Sequence, residues 1–177
     1  MRNKYPKDFI HEINLSFDKD KLIKESEIIG YENGYILRGQ TRPAFKTLLE
    51  SRIEDISEIE KYDEINKVYN QIVNLFKCDI HSIIFYKVRP NTYIGPHKDP
   101  FTKINIGFAI NILLSEDKNA PLKFIIEDKH YDVFYKCILF DANNVEHYVP
   151  KVEKERIVLR YFIKDISYSE AIKICEA

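Results

Sequence analysis

The chain has no tryptophan, one methionine, five glycines and three cysteines in 177 residues. Cys78, Cys137 and Cys175 are odd in number and widely spaced, without a Cys-x-x-Cys, which excludes a disulfide framework and a zinc ribbon and suits a reducing compartment. No apolar run approaches the ~20 residues that cross a bilayer, and the start Met-Arg-Asn-Lys-Tyr-Pro lacks a signal-like apolar stretch. A cytoplasmic location is expected. Charge of one sign is also lacking: 27 basic residues face 28 acidic ones, which disfavours a phosphate-tracking nucleic-acid binder. With 45% hydrophobic residues, 13% of all residues aromatic, there is enough apolar material for one core.

No Gly/Ser-rich or Pro-rich linker and no repeat interrupts the chain, so one domain, 1–177, is expected. Residues 1–80 read as helical support with an edge strand. Ser57 and Glu60 form a capping-box pattern, and Ile59, Tyr62, Ile65, Val68, Ile72 and Phe76 recur at three to four residues, predicting a helix over 57–77. Pro43 at a first helical position, followed by Phe45, Leu48, Leu49 and Ile53, predicts a shorter helix before it. Residues 9–15 alternate as an edge strand. From Ser82 the text turns to short β-branched and aromatic runs, predicting strands near 82–89, 106–114, 121–127, 130–134, 136–140, 145–149 and 155–163. Helices followed by many short strands indicate an α+β chain with a mainly antiparallel double sheet.

Of five histidines, His97 and His147 stand in telling company. In Gly95-Pro96-His97-Lys98-Asp99 the period of two in an extended segment sends His97 and Asp99 to one side and Lys98 to the other. A lone His-x-Asp is common by chance. His147, 48 residues after Asp99 at the start of an expected strand, completes the two-histidine, one-carboxylate set that leaves adjacent positions open on iron(II). His11, His81 and His130 flank strand starts or turns and read as non-ligands. A hairpin closed over Pro150–Glu153 would set His147 directly opposite Arg156, with strands 145–149 and 155–163 as antiparallel neighbours. On that geometry a buried Arg156 beside the metal needs an anionic partner, most economically a carboxylate. Arg160 shares its parity but lies ~13 Å further along the strand, so Arg156 is preferred.

The ordered set His97-x-Asp99, His147 and, nine residues on, Arg156 in Arg156-Ile157-Val158-Leu159-Arg160-Tyr161-Phe162 resembles the iron(II)/2-oxoglutarate-dependent oxygenases over residues 82–163. The phrases Tyr93–Asp99 and Ala109–Leu114 resemble the prolyl-hydroxylase and aspartyl/asparaginyl β-hydroxylase branches, although the aspartyl branch has glycine where this chain has Asp99. The resemblance implies a double-stranded β-helix (a jelly-roll, cupin-like fold) with the N-terminal helices packed outside it. It also implies Fe(II), 2-oxoglutarate as cosubstrate and O2. His97, Asp99 and His147 would be the catalytic metal ligands, and Arg156 would hold the distal carboxylate of 2-oxoglutarate. Asn111, the one polar side chain between Phe108 and Leu114, would meet either the cosubstrate or backbone. Tyr86 resembles a family tyrosine that donates to the cosubstrate, at a spacing one residue longer, and is otherwise a core tyrosine.

The implied activity is hydroxylation of an amino acid, a peptide side chain or another small substrate. The alternative is a cupin-type metal-binding barrel without 2-oxoglutarate turnover, and Arg156 discriminates the two. A nucleic-acid demethylase of the same chemistry is disfavoured by the balanced charge. Loops 91–105 and 115–121 would shape the pocket mouth.

Overall fold

A computed structural model describes residues 8–33, 48–53, 55–99, 106–115 and 121–177. The strands are β1 (Ile10–Glu12), β2 (Glu32–Asn33), β3 (Leu48–Ile53), β4 (Asp79–Val88), β5 (Ile94–His97), β6 (Ile106–Leu113), β7 (Leu122–Ile126), β8 (Lys129–Val133), β9 (Cys137–Phe140), β10 (Glu146–Val149) and β11 (Arg156–Lys164). The helices are α1 (Lys19–Ile29), α2 (Asp63–Phe76) and α3 (Tyr168–Glu176), with a 3-10 turn at Ile56–Lys61. A seven-stranded sheet, ordered β1-β9-β6-β11-β4-β3-β2, accompanies a four-stranded sheet, ordered β5-β10-β7-β8, and every pairing is antiparallel.

Strand β11 explains the layering. Ile157, Leu159, Tyr161 and Ile163 face a core shared with the helices, where Ile65, Val68, Ile72 and Phe76 of α2 supply the opposing stripe. The alternate residues, with Phe162 among Tyr86, Phe124 and Phe140, face a second core that joins the two sheets. Both faces are covered, so Arg156–Ile163 are all buried and the sequence shows a continuous apolar run rather than alternation. The helices therefore pack outside the larger sheet, as expected.

The two early helices clamp one another. The Glu25 carboxylate of α1 accepts the Glu64 and Ile65 amides of α2, each at 2.9 Å, and Glu64 in turn accepts the Asp18 amide ahead of α1 at 2.7 Å. These carboxylates satisfy helix N-terminal donors. The expected single helix over 57–77 is divided: Asp55, not Ser57, caps the 3-10 turn by accepting the Ser57 amide at 2.9 Å, and α2 begins only at Asp63.

Two further expectations are corrected. The helix expected through Leu48, Leu49 and Ile53 is strand β3 from Leu48 onward, because β4 offers an open edge and pairs with it in register from Leu48↔Val88 to Ile53↔Ile83. Residues 41–47 of that helix lie outside the described residues. The hairpin joining 145–149 to 155–163 does not form: β10 lies between β5 and β7, whereas β11 lies between β4 and β6 in the other sheet. Buried Val152 instead exchanges backbone hydrogen bonds with the 91–92 turn, Asn91 N to Val152 O at 2.7 Å and Val152 N to Thr92 O at 3.0 Å. Residues 150–155 thus cross between sheets rather than turn within one.

Gly107 is required by close approach. A Cβ there would lie 1.7 Å from the Ile166 carbonyl oxygen, a backbone atom that cannot swing aside. Gly107→Ala is expected to destabilise the protein by ~3 kcal/mol, read as a lowered urea midpoint at unchanged slope.

Candidate active site

Strands β5 and β10 pair so that His97 and His147 stand directly opposite one another. Their ring centroids are 4.4 Å apart. Phe140 packs edge-on to His147 at 5.0 Å, and His147 is 1% exposed. Each imidazole is oriented by the carbonyl two residues before it: His97 Nδ1 meets Gly95 O at 2.8 Å and His147 Nδ1 meets Val145 O at 3.1 Å. A carbonyl only accepts, so Nδ1 carries the hydrogen on both rings and Nε2 presents a lone pair.

Asp99 follows β5, its amide donating to the Ala142 carbonyl at 2.9 Å. Its Oδ1 lies 3.4 Å from His97 Nε2 and 3.8 Å from His147 Nε2. One ligand atom from each of the three residues falls within 4.8 Å of the others, the only such grouping of three among the described residues. The spacing suits donors placed ~2.1 Å from one central ion. The residues fit a divalent cation on a further ground: His147 Nε2 is buried without a hydrogen-bond partner. A buried polar atom aimed at two other acceptors calls for a cation between them.

The electrostatics agree. Burial pushes the His147 pKa down to about 3, against the opposing pull of Asp99, so the ring is held neutral as a ligand must be. Burial pushes the Asp99 carboxyl up, but Arg160, His147 and His97 outweigh it and leave it well below the usual carboxylate range. The chief of these is Arg160, whose Nη1 donates to Asp99 Oδ2 at 2.9 Å and whose Nε donates to Asn111 Oδ1 at 2.7 Å.

Arg156, 1% exposed, lines the same cavity. Its Nη2 donates to the Tyr135 hydroxyl at 3.2 Å, and Leu48, Val88, Leu122, Val149 and Val158 supply apolar wall around it. Arg156, Val158 and Arg160 share this face of β11, as their parity requires. The placement of Arg156 opposite His147 is corrected, however: His97 is the residue opposite His147, and Arg156 sits in register with Val88. Nor is Arg160 carried away from the histidines, since it bonds their neighbour Asp99. Asn111 meets Arg160 rather than backbone through its Oδ1, and Tyr86 lines the cavity with its ring 5.2 Å from the Arg160 guanidinium.

Tyr135 and the Arg160–Asp99 contact went unread in the sequence. Arg160 did carry a signal, a second guanidinium on the inward face of a buried strand. Tyr135 carried none, because only the folded pairing brings it to Arg156. His11, His81 and His130 are absent from the metal-competent group, and His130 instead meets the Tyr148 hydroxyl at 3.2 Å. Lys98 is exposed, as expected. All three cysteines are free thiols, with burial pushing Cys78 up to about 11 and Cys137 up to about 12, which suits small apolar fillers. Of the loops expected at the pocket mouth, 100–105 and 116–120 lie outside the described residues.

No family model and no curated protein matches the chain in sequence. Solved structures do match. A prolyl hydroxylase from Trichoplax adhaerens, in complex with a hypoxia inducible factor oxygen degradation domain peptide fragment, superposes with a TM-score of 0.67 at 13% identity, covering 93% of this chain and 85% of that one. An oxidoreductase of the 2OG-Fe(II) oxygenase family from Burkholderia pseudomallei gives 0.60 at 14% identity, covering 88% and 84%. A prolyl-4-hydroxylase from Pseudomonas putida gives 0.54 at 16%, covering 88% and 92%. The fold is the double-stranded β-helix of the 2-oxoglutarate and iron(II) oxygenases, with few helices around it. Among the described residues no helix is long and apolar enough to cross a membrane.

Proposed function

We propose that this chain is an iron(II)- and 2-oxoglutarate-dependent dioxygenase that hydroxylates an amino acid, a peptide side chain or another small substrate. The observation that carries the reading is the juxtaposition, in one cavity, of a His97–Asp99–His147 acceptor cluster and a buried Arg156. When bound, iron(II) with 2-oxoglutarate and O2 supplies oxidative decarboxylation to succinate and carbon dioxide, coupled to hydroxylation of a C–H bond.

The protein's own part is orientation and exclusion of water. His97 and His147 hold the metal through Nε2, kept in that tautomer by the Gly95 and Val145 carbonyls. Asp99 supplies the negative ligand through Oδ1. Arg156 receives the distal carboxylate of 2-oxoglutarate, with Tyr135 holding the guanidinium and the apolar wall keeping water from the ion pair. Tyr86 remains in reach of the cosubstrate along the cavity wall. Asn111 reaches the site through Arg160 and offers the cosubstrate its amide group. A buried guanidinium lining the same cavity as the acceptor cluster favours this reading over a metal-only cupin barrel.

One domain spanning 1–177, with 82–163 as its barrel core, suits the common site. A reducing cytoplasm suits three free thiols, and a peptide substrate is in keeping with the peptide held by the Trichoplax neighbour. The test is anaerobic calorimetry with Fe(II) and 2-oxoglutarate, followed by succinate release in air across a panel of amino acids and peptides. Metal-dependent 2-oxoglutarate binding and substrate-stimulated succinate are expected. Metal binding without any 2-oxoglutarate binding would return the chain to the cupin reading.

A further inference from the structure

Arg160 stands between two partners. Its Nε donates to Asn111 Oδ1 at 2.7 Å and its Nη1 to Asp99 Oδ2 at 2.9 Å, so the guanidinium is anchored on β6 before it reaches the carboxylate. The anchoring is built into register, since Arg160 and Asn111 are cross-strand partners in the β11–β6 pair. The ring faces of Tyr86, Phe140 and Phe162 lie 5.2, 5.2 and 5.6 Å from the same guanidinium, closing its alternatives. The result is an asymmetric carboxylate. Oδ1 is turned toward both imidazoles and Oδ2 is turned away, held by a charged donor.

We propose that Arg160 is a positioning residue that makes Asp99 a one-oxygen ligand and so keeps a coordination position open for the cosubstrate. A carboxylate left to itself next to a divalent cation is able to present both oxygens, and each oxygen so used closes one position. A diacid that chelates through two atoms, together with dioxygen, needs all three positions that a facial triad leaves. An oxygen that accepts a hydrogen bond from an Arg160 N–H at 2.9 Å is withdrawn from that competition. Arg160 thus acts through Asp99, while Arg156 would act on the cosubstrate itself. The inference rests on the metal and cosubstrate reading above.

The test needs no turnover. Mn(II) is bound to the wild-type protein, to Arg160→Met and to Arg160→Lys, and water ligands on the metal are counted by oxygen-17 broadening of the electron paramagnetic resonance lines. The wild type is expected to hold three waters, the number a facial triad leaves. Arg160→Met should hold one fewer, with Mn(II) affinity equal or higher, because a repelling cation is gone and an oxygen is gained. Its affinity for 2-oxoglutarate, measured anaerobically on the Mn(II) form, should fall roughly 10- to 100-fold. Arg160→Lys, which keeps one charged donor for Asp99, should restore the third water and most of that affinity.

A merely structural arginine would instead lower metal and 2-oxoglutarate affinity together with the water count unchanged, and that result overturns the proposal. If Arg160→Met does not unfold cooperatively, Asn111→Ala decides, since it keeps the arginine and removes its anchor: a lowered water count without 2-oxoglutarate supports the proposal and an unchanged one overturns it. A wild-type protein that binds no Mn(II) overturns both this inference and the functional reading. A wild type that binds metal and 2-oxoglutarate, beside an Arg160→Met protein that matches it, overturns this inference alone.

Discussion

His97→Ala is expected to lower Fe(II) or Mn(II) affinity by at least ~1000-fold while leaving the metal-free protein nearly as stable as wild type. His97 lies near the end of a short strand with its side chain 12% exposed, so truncation there opens to solvent rather than leaving a sealed void. The loss falls on metal-linked stabilisation. An ion present at about 100 times its dissociation constant adds ~2.7 kcal/mol to the folded state. Thermal midpoints of the wild type should therefore climb with metal concentration and those of His97→Ala should stay flat. His147→Ala is a poorer test, because the ring is packed against Phe124 and Phe140 and its removal also leaves a core cavity. His130→Ala, on the far strand of the smaller sheet, should bind metal as the wild type does. Equal metal-induced shifts in wild type and His97→Ala would remove His97 from the site.

The grouping of His97, Asp99 and His147 was legible in part: parity sets the imidazole and the carboxylate two residues apart on one side, and a second imidazole opens a later strand. What stayed hidden was which strands are neighbours. A four-residue stretch between two strand-like runs reads locally as a hairpin, and nothing in Pro150–Glu153 reveals that Val152 is buried and bonded to the 91–92 turn in place of a partner within its own sheet. The true partner of His147 was His97, and that pairing depends on chain 50 residues away. Leu48–Ile53 misread as a helix for a similar reason. Both faces of β3 are covered, Leu48 on the inter-sheet side and Ile53 on the helix side, so its apolar residues do not alternate. Helix α1 buries only Leu22 and Ser26 and has little stripe to find. Helix α3, by contrast, opens on Ser167 and Glu170, a reciprocal capping box that was available to be read.

Arg156→Met is expected to raise the 2-oxoglutarate requirement by at least ~100-fold, about the loss when one partner of a buried charged pair is truncated. Metal affinity and the water count on bound Mn(II) should not move, because Arg156 bonds Tyr135 and its register partner is Val88, away from the acceptor cluster. Folding should survive the change. Methionine fills the site with an apolar chain of similar length against Leu48, Val88 and Val158, so a collapse in cosubstrate binding at an unchanged thermal midpoint isolates the recognition role. Arg156→Lys should recover part of the affinity, since the ammonium keeps the charge but cannot grip a carboxylate with two parallel donors. The two guanidiniums of β11 are then distinguished by what else changes. Arg160 and Arg156 lie four residues apart, ~13 Å along the strand, with the first bound to a metal-competent carboxylate and the second within an apolar wall. Loss of cosubstrate binding with a lost water marks the arginine acting through Asp99, and loss with the waters intact marks the one that meets the cosubstrate. An Arg156→Met protein with an unchanged 2-oxoglutarate requirement, beside an Arg160→Met protein that loses binding with every water retained, would transfer the cosubstrate role to Arg160.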